Sequence, residues 1–387
     1  MFQQGQMGIY IHWPFCVSKC PYCDFNVYLN NKHESKVWRD AYLHSIKTYK
    51  NLMPDREVVS IYFGGGTPSL MAPELAGDII TAIRESWPCA DNIEITLEAN
   101  PTSAEIDKFK AFSEAGVNRL SLGVQSLRDD VLKFLGRLHG SDEVLRAINI
   151  ANGVFHRFTF DLIYALPNQT LQEWERDLKA AIPMMKGHLS AYQLTVKGGT
   201  AFEKQEARGD FTLPDSDKAA DFYNLTNDIM ADHDMPAYEV SNYGASGQES
   251  RHNLVYWHYQ DYIGIGPGAH GRITINGNKY ATQDYKKPED WLRAVNENGK
   301  GCEVFDELSV QDRLEEILMG GLRIKEGIDL QKLGGQTGLN PQEKLDWEHI
   351  EIACAQGWLD YREGRYLIPS REGWLRCDSL LPYILKV

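Results

Sequence analysis

Three of the seven cysteines in this chain fall within eight residues, in the stretch HWPFCVSKCPYCDF, whereas Cys89, Cys302, Cys354 and Cys377 are scattered singly. In a reducing compartment such clustering reads as metal ligation and not as a disulfide framework. The C-x3-C-x2-C spacing puts Cys16, Cys20 and Cys23 on one short loop, where three thiolates can hold three corners of a cubic [4Fe–4S] cluster. The fourth iron is then open. An open iron can take the amino and carboxylate groups of S-adenosylmethionine (SAM), which makes such a cluster a reductive radical generator. A structural zinc is the alternative, but zinc prefers a closed tetrahedron and no fourth Cys or His lies nearby in sequence. Further on, IYFGGGTPS ends a second strand with Gly64, Gly65, Gly66 and Thr67. Glycine lets backbone groups approach a small ligand closely, and an ammonium group suits the carbonyls. Alone, such a loop is by default a strand-to-helix turn; one strand–helix unit after three cysteines, it points to a ligand.

Positioning these residues requires a scaffold. β-rich runs at residues 8–13, 58–63, 93–98, 119–124, 158–164 and 189–196 alternate with helix-patterned stretches at 34–49, 73–85, 104–115, 142–152 and 171–183. Repeated strand then helix, with near-continuous apolar strands, predicts parallel pairing through right-handed crossovers. Six units over residues 1–200 predict an incomplete parallel (β/α)6 barrel of the α/β class. In parallel barrels chemistry sits at the C-terminal strand ends, which here carry Gly64 to Thr67, Glu98, Gln125 and Asp161. Cys89 lies at the far end of a helix and belongs on the opposite face. Residues 201–300, with a helix near 217–232 and an aromatic, Gly-rich stretch over 238–270, read as an extension closing over the barrel mouth. Residues 301–387 read as helices, a short hairpin and a final helix, a winged-helix-like α+β module. Its excess of acidic residues makes it a lid or docking module, not a DNA reader.

Composition sets the outer limits. The chain has 387 residues, 40 Lys+Arg against 54 Asp+Glu, a net charge of −14, and 43% hydrophobic residues. That length suits two to three domains or one large barrel with an appendage. Nine Trp and a charged fraction of 24% argue against disorder. An acidic surface without a basic patch repels phosphate backbones and anionic lipid, which excludes nucleic acid as a partner. No basic-then-apolar leader and no run of about 18 apolar residues occur, so a cytoplasmic protein is expected.

In this order the motifs resemble the radical SAM superfamily, within it the oxygen-independent coproporphyrinogen III oxidase (HemN) family, and most narrowly the HemW branch of haem chaperones. They are YIHWPFC from Tyr10 to Cys16, GGGTP from Gly64, EANP from Glu98, SLGVQS from Ser121, GRLH from Gly136, DLIYALP from Asp161, and the C-terminal module. The resemblance implies a cluster on Cys16, Cys20 and Cys23 with Tyr10 against it and SAM, and Tyr22 near the adenine. It also implies Gly65, Gly66 and Thr67 at the methionine moiety, and Glu98, Gln125, Arg137 and Asp161 at further SAM-binding positions. A carboxylate can accept from ribose hydroxyls or the ammonium, and Arg137 can pair with a carboxylate in planar fashion. Taken singly, Glu98 or Asp161 could equally cap a helix and Arg137 could sit in a surface ion pair.

Two departures from the oxidases matter. Their pattern resembles C-x3-C-x2-C-x-C, and here Phe25 holds the fourth position, which argues against coproporphyrinogen oxidation and for the HemW branch. RHNLVYW, from Arg251 to Trp257, resembles the HemW haem-binding signature and implies His252 as axial ligand, with Tyr256 and Trp257 covering the macrocycle. On a helix His252 and Tyr256 share a face. Without the resemblance, His252 reads as a capping or hydrogen-bonded histidine. YIGIGPGAHG, from Tyr262 to Gly271, is a second glycine-rich stretch that could approach SAM or haem; it lacks a dinucleotide loop's spacing, so no nicotinamide site is expected. His270 is a reserve haem ligand, or a buried hydrogen-bonded His.

The resemblance therefore implies a haem chaperone of porphyrin metabolism that carries haem to an acceptor protein, such as a respiratory haem enzyme. Cluster and exchangeable SAM would gate transfer or assembly of a homodimer. Two other readings stay open: oxidative decarboxylation of coproporphyrinogen III by a 5′-deoxyadenosyl radical, and radical methyl transfer or haem degradation as in more distant relatives.

Overall fold

Alternation of apolar and polar residues along each strand decides how the sheet is used. In the computed structural model, which describes residues 2–3, 5–29 and 34–386, six strands pair in parallel and in chain order. They are β1 (Gln6–Trp13), β2 (Glu57–Gly65), β3 (Cys89–Ala99), β4 (Arg119–Gln125), β5 (Arg157–Tyr164) and β6 (His188–Gln193). Ile61, Phe63, Ile95, Leu97, Leu120, Leu122 and Phe160 are fully buried. By the period-2 rule these residues face the helices, and Ser60, Tyr62, Glu94, Thr96, Glu98, Ser121, Thr159, Asp161 and Ser190 face the lumen. The strands are thus alternating rather than the near-continuous apolar runs expected, because this barrel's interior is a polar cavity and not a stack of aliphatic layers.

The crossovers match their prediction closely. They include α1 (Ser35–Leu52), α2 (Pro73–Ser86), α3 (Ser141–Val154) and α4 (Leu171–Ala181); the helix expected over 104–115 is broken into Ser103–Ile106 and Phe109–Glu114. Thr170 opens α4 with a capping box, its hydroxyl accepting from the Glu173 N–H.

The strands of the extension lengthen the barrel's sheet at both edges. After α5 (Ser216–Asp232), β7 (Ala237–Glu239) and β8 (Asn242–Gly244) add antiparallel strands beside β6. The short helix α6 (Arg251–Trp257) then acts as a further crossover, so that β9 (Asp261–Ile265) lies parallel to β1 as a seventh parallel strand. The antiparallel β10 (His270–Ile275), β11 (Asn278–Asp284) and β12 (Cys302–Glu307) complete a 12-stranded sheet.

One apolar core runs from Met7 to Val295 and joins barrel and extension. Trp38 of α1 stacks on Trp291 of α7 (Pro288–Asn298), with centroids 5.6 Å apart and planes 8° from parallel. Burial of such a side chain contributes on the order of 2–3 kcal/mol. The C-terminal module has its own core. It comprises α8 (Val310–Gly321), helices Leu330–Thr337 and Trp347–Ala355, a hairpin of Leu359–Arg362 with Tyr366–Pro369, and the final helix Cys377–Ile384. The winged-helix-like expectation describes it. Among the contacts that tie it to the rest of the chain, Arg272 grips Glu316 at 2.7 Å, Arg323 reaches Glu239 at 3.4 Å, and α8 lies against Trp257 at Gly320, where a β-carbon would sit 2.6 Å from the Trp257 carbonyl oxygen.

Candidate functional site

Backbone pairing fixes the three-cysteine loop. Phe15–Cys16 and Tyr28–Leu29 form a short parallel bridge that closes its neck, and Pro21 packs above Gly136 while its carbonyl accepts from the Phe202 N–H at 2.9 Å. The glycine loop is bonded to the same neck. Gly66 N–H donates to the Trp13 carbonyl at 2.7 Å and Thr67 N–H to that of Phe15 at 2.9 Å. Gly65 has φ +108° and a β-carbon there would strike the His12 ring at 2.5 Å, so glycine is required. With those two N–H groups committed, the loop's remaining offer to a ligand is carbonyl oxygen, which suits an ammonium group.

A chain of polar contacts links two of the thiols, those of Cys20 and Cys16. Arg137 donates to the Cys20 sulfur and the Tyr22 hydroxyl, each at 3.4 Å, to the Gly123 carbonyl at 2.9 Å, and to Asn100 Oδ1. Asn100 Nδ2 donates to Thr67 Oγ1 at 3.2 Å, and the Thr67 hydroxyl reaches Cys16 Sγ at 3.4 Å. Arg137 is therefore no surface ion pair. Asn100 was missed in the sequence reading, although it lies two residues after Glu98, just past the end of β3.

All the residues expected around SAM except Tyr10 line one cavity of about 810 Å3, together with the three cysteines. Within it, Glu98 accepts from the Tyr62 hydroxyl at 2.7 Å. Burial raises the Glu98 carboxyl to about 7 and that of Asp161 to about 6, each opposed by hydrogen bonds to the charged form. These two carboxyls can take up the positive charge or hydroxyls of a ligand. Neither caps a helix. Tyr10 stands on the adjoining wall. Its hydroxyl lies 3.1 Å from His12 Nδ1, while Nε2 faces the Asn26 carbonyl at 3.1 Å, so Nε2 carries the proton and Tyr10 donates to Nδ1.

Among the described residues no three His, Cys, Asp or Glu side chains close to the spacing of a single bound ion. Three thiols spread around a shared cavity fit an iron–sulfur cube better than a tetrahedral zinc. The cavity beside them, with carbonyls, two carboxyls and a guanidinium, fits the amino-acid and ribose groups of SAM.

The His252 imidazole lies deeper in the lumen, behind Tyr62. His252 is 1% exposed; its Nδ1 is 2.8 Å from Ser60 Oγ, its Nε2 is 2.7 Å from the Tyr256 hydroxyl, and its ring stacks on Tyr62. Burial pushes it down to about 3, so the ring is neutral and both nitrogens are engaged. Beneath it, Glu94 accepts from the N–H groups of Arg251 and His252 and from Arg157 at 2.8 Å. Tyr256 and Trp257 instead reach a second cleft, of about 700 Å3, that also includes Tyr10 and His270. Asp24, Phe25, Gly65 and Glu98 wall both spaces.

The radical SAM superfamily pattern matches residues 10–181, and the HemN C-terminal domain matches residues 308–376. The heme chaperone HemW of Escherichia coli (strain K12) is 36% identical over 391 residues, covering the whole of both chains. This chain belongs to the HemW-type radical SAM family. The mouse radical S-adenosyl methionine domain-containing protein 1, mitochondrial, is 37% identical over 391 residues, or 98% of this chain and 87% of that protein. The solved coproporphyrinogen III oxidase (HemN) of Escherichia coli superposes with a TM-score of 0.80 at 21% identity, covering 97% of this chain and 89% of that one. That likeness establishes the shared fold. In this HemW-type chain the position of the oxidase-like fourth cysteine holds Phe25, whose ring is 61% exposed on the wall common to both cavities.

Proposed function

We propose that this HemW-type chain is a carrier that binds haem and hands it to an acceptor protein, with a [4Fe–4S] cluster on Cys16, Cys20 and Cys23 and exchangeable SAM beside it. Likeness to a haem chaperone along the entire chain carries the reading. When bound, the cluster would supply one iron with an exchangeable coordination position. The protein's part is positional. The Arg137 guanidinium donates to Cys20, Tyr22 and Asn100; Thr67 restrains Cys16; the carbonyls of Gly65 and Gly66 would meet the methionine ammonium; Gln125 lines the same wall. Glu98 and Asp161, ionised above about pH 7, complement positive charge and ribose hydroxyls. Haem would lie against Tyr256 and Trp257, whose rings front the second cleft. His252 gains a free nitrogen only if the Tyr256 hydroxyl releases Nε2. Among the described residues no helix is long and apolar enough to cross a membrane, in keeping with a cytoplasmic carrier.

Anaerobic reconstitution followed by haem titration tests this. About four irons per chain and a Soret shift are expected, followed by transfer to an apo-haem protein. Absence of a Soret change sinks the carrier reading, and decarboxylation of coproporphyrinogen III above a cluster-free control restores the oxidase.

A further inference from the structure

Taking haem as the cargo, and resting on that reading, we infer that it seats in the cleft between the β9–β10 ribbon and α8, with the His270 imidazole as its axial ligand. Access decides between the histidines. His252 is sealed inside the barrel with both ring nitrogens bonded, and His12, which also borders the cleft, is likewise bonded at both. His270 is exposed, lines the cleft, and its ring makes no hydrogen bond among the described residues. A neutral imidazole with a free nitrogen is what a haem iron takes as a fifth ligand.

The walls suit the rest of the molecule. Tyr256, Trp257 and Tyr262 line the cleft beside a flat macrocycle's seat, one face of Trp257 being taken by the Arg323 guanidinium at 4.5 Å, with Met319, 51% exposed, at the α8 side. The cleft carries Arg272 and Lys286 as well as Asp24, Glu98 and Glu316. Arg272 is held by Glu316, whereas Lys286 is exposed and forms no ion pair among the described residues. Lys286 is the cation available to a propionate, and the acidic residues steer propionates away from the barrel side. An open cleft, rather than a closed pocket, also lets a cargo leave.

The test is titration of the full-length, reconstituted protein with ferric haem, followed by absorption and electron paramagnetic resonance spectra. Wild type should give an imidazole-ligated spectrum. His270→Ala should lose it and bind at least about tenfold more weakly, and added free imidazole should restore the spectrum. His252→Gln, which keeps partners for Ser60 and Tyr256 but has no imidazole, should keep the wild-type spectrum. Lys286→Glu should weaken binding several-fold with ligation unchanged. The inference is overturned if His270→Ala keeps the spectrum, or if His252→Gln loses it while retaining wild-type iron content and circular dichroism. Failure of wild type to bind haem at all would overturn the carrier reading and this site together.

Discussion

At the mouth of the barrel Glu98 and three thiols face an open cavity, with Arg137 already donating to Cys20, Tyr22, Gly123 and Asn100, whereas deeper in the lumen Glu94, Arg119, Arg157 and His252 consume one another. Burial pushes the Glu94 carboxyl up, but the Arg119 and Arg157 guanidiniums and two backbone N–H groups outweigh it and hold the group below the usual carboxylate range. Glu98, two turns of the pleat along the same strand, has no such cation and is held near 7. The same residue type is a buried strut at one end and a cavity-facing acid at the other. What separates them is whether a partner is already in place.

The comparison breaks most visibly at the thiols. Cys20→Ala should abolish cluster retention, read as iron and sulfide content after reconstitution, while the cluster-free protein unfolds like cluster-free wild type. Loss of fold instead would make the loop structural. Deeper in the lumen the effect should appear in stability: Glu94→Ala strands a buried guanidinium and should cost about 3–5 kcal/mol by denaturant titration. A cost within experimental scatter would mean that the Glu94 cluster is not a satisfied network. Arg137→Lys keeps the charge but loses the planar fork, and should weaken SAM binding about tenfold, or about 1.4 kcal/mol, by equilibrium titration.

The smallest effect is on pH. Glu98 at about 7 and Asp161 at about 6 bind protons in the folded chain that the unfolded chain has already released. Their contribution to stability is therefore present below the unfolded carboxylate range and is lost as pH rises through about 6 to 7. Affinity for cationic SAM runs the other way, strengthening across that window as both become anionic. Glu98→Gln should flatten the upper part of the affinity profile; an unaltered profile removes Glu98 from the site.

How much of this was legible follows from range. The six barrel strands and most crossovers were readable because each is a local run bounded by its own turn signals, and the three-cysteine loop stood out because its cysteines fall within eight residues. The seventh parallel strand, Asp261–Ile265, was not: the helix before it, Arg251–Trp257, is too short to show periodicity, and its pairing with β1 spans the whole barrel. Spacing placed His252 and Tyr256 on one helical face correctly. It could not say that this face turns inward, because that depends on Ser60 and Glu94, which are remote in sequence. Asn100 and His12 escaped because each works through a neighbour's atoms.

Gly320 gives the cleft an unusual boundary. Where α8 meets Trp257, main chain touches main chain, so no rotamer on either side can yield. At that point the approach of α8 to Trp257 changes only as the C-terminal module pivots, whereas elsewhere the lining side chains are free to turn. Any pivot of that module would thereby widen or narrow the cleft from outside it.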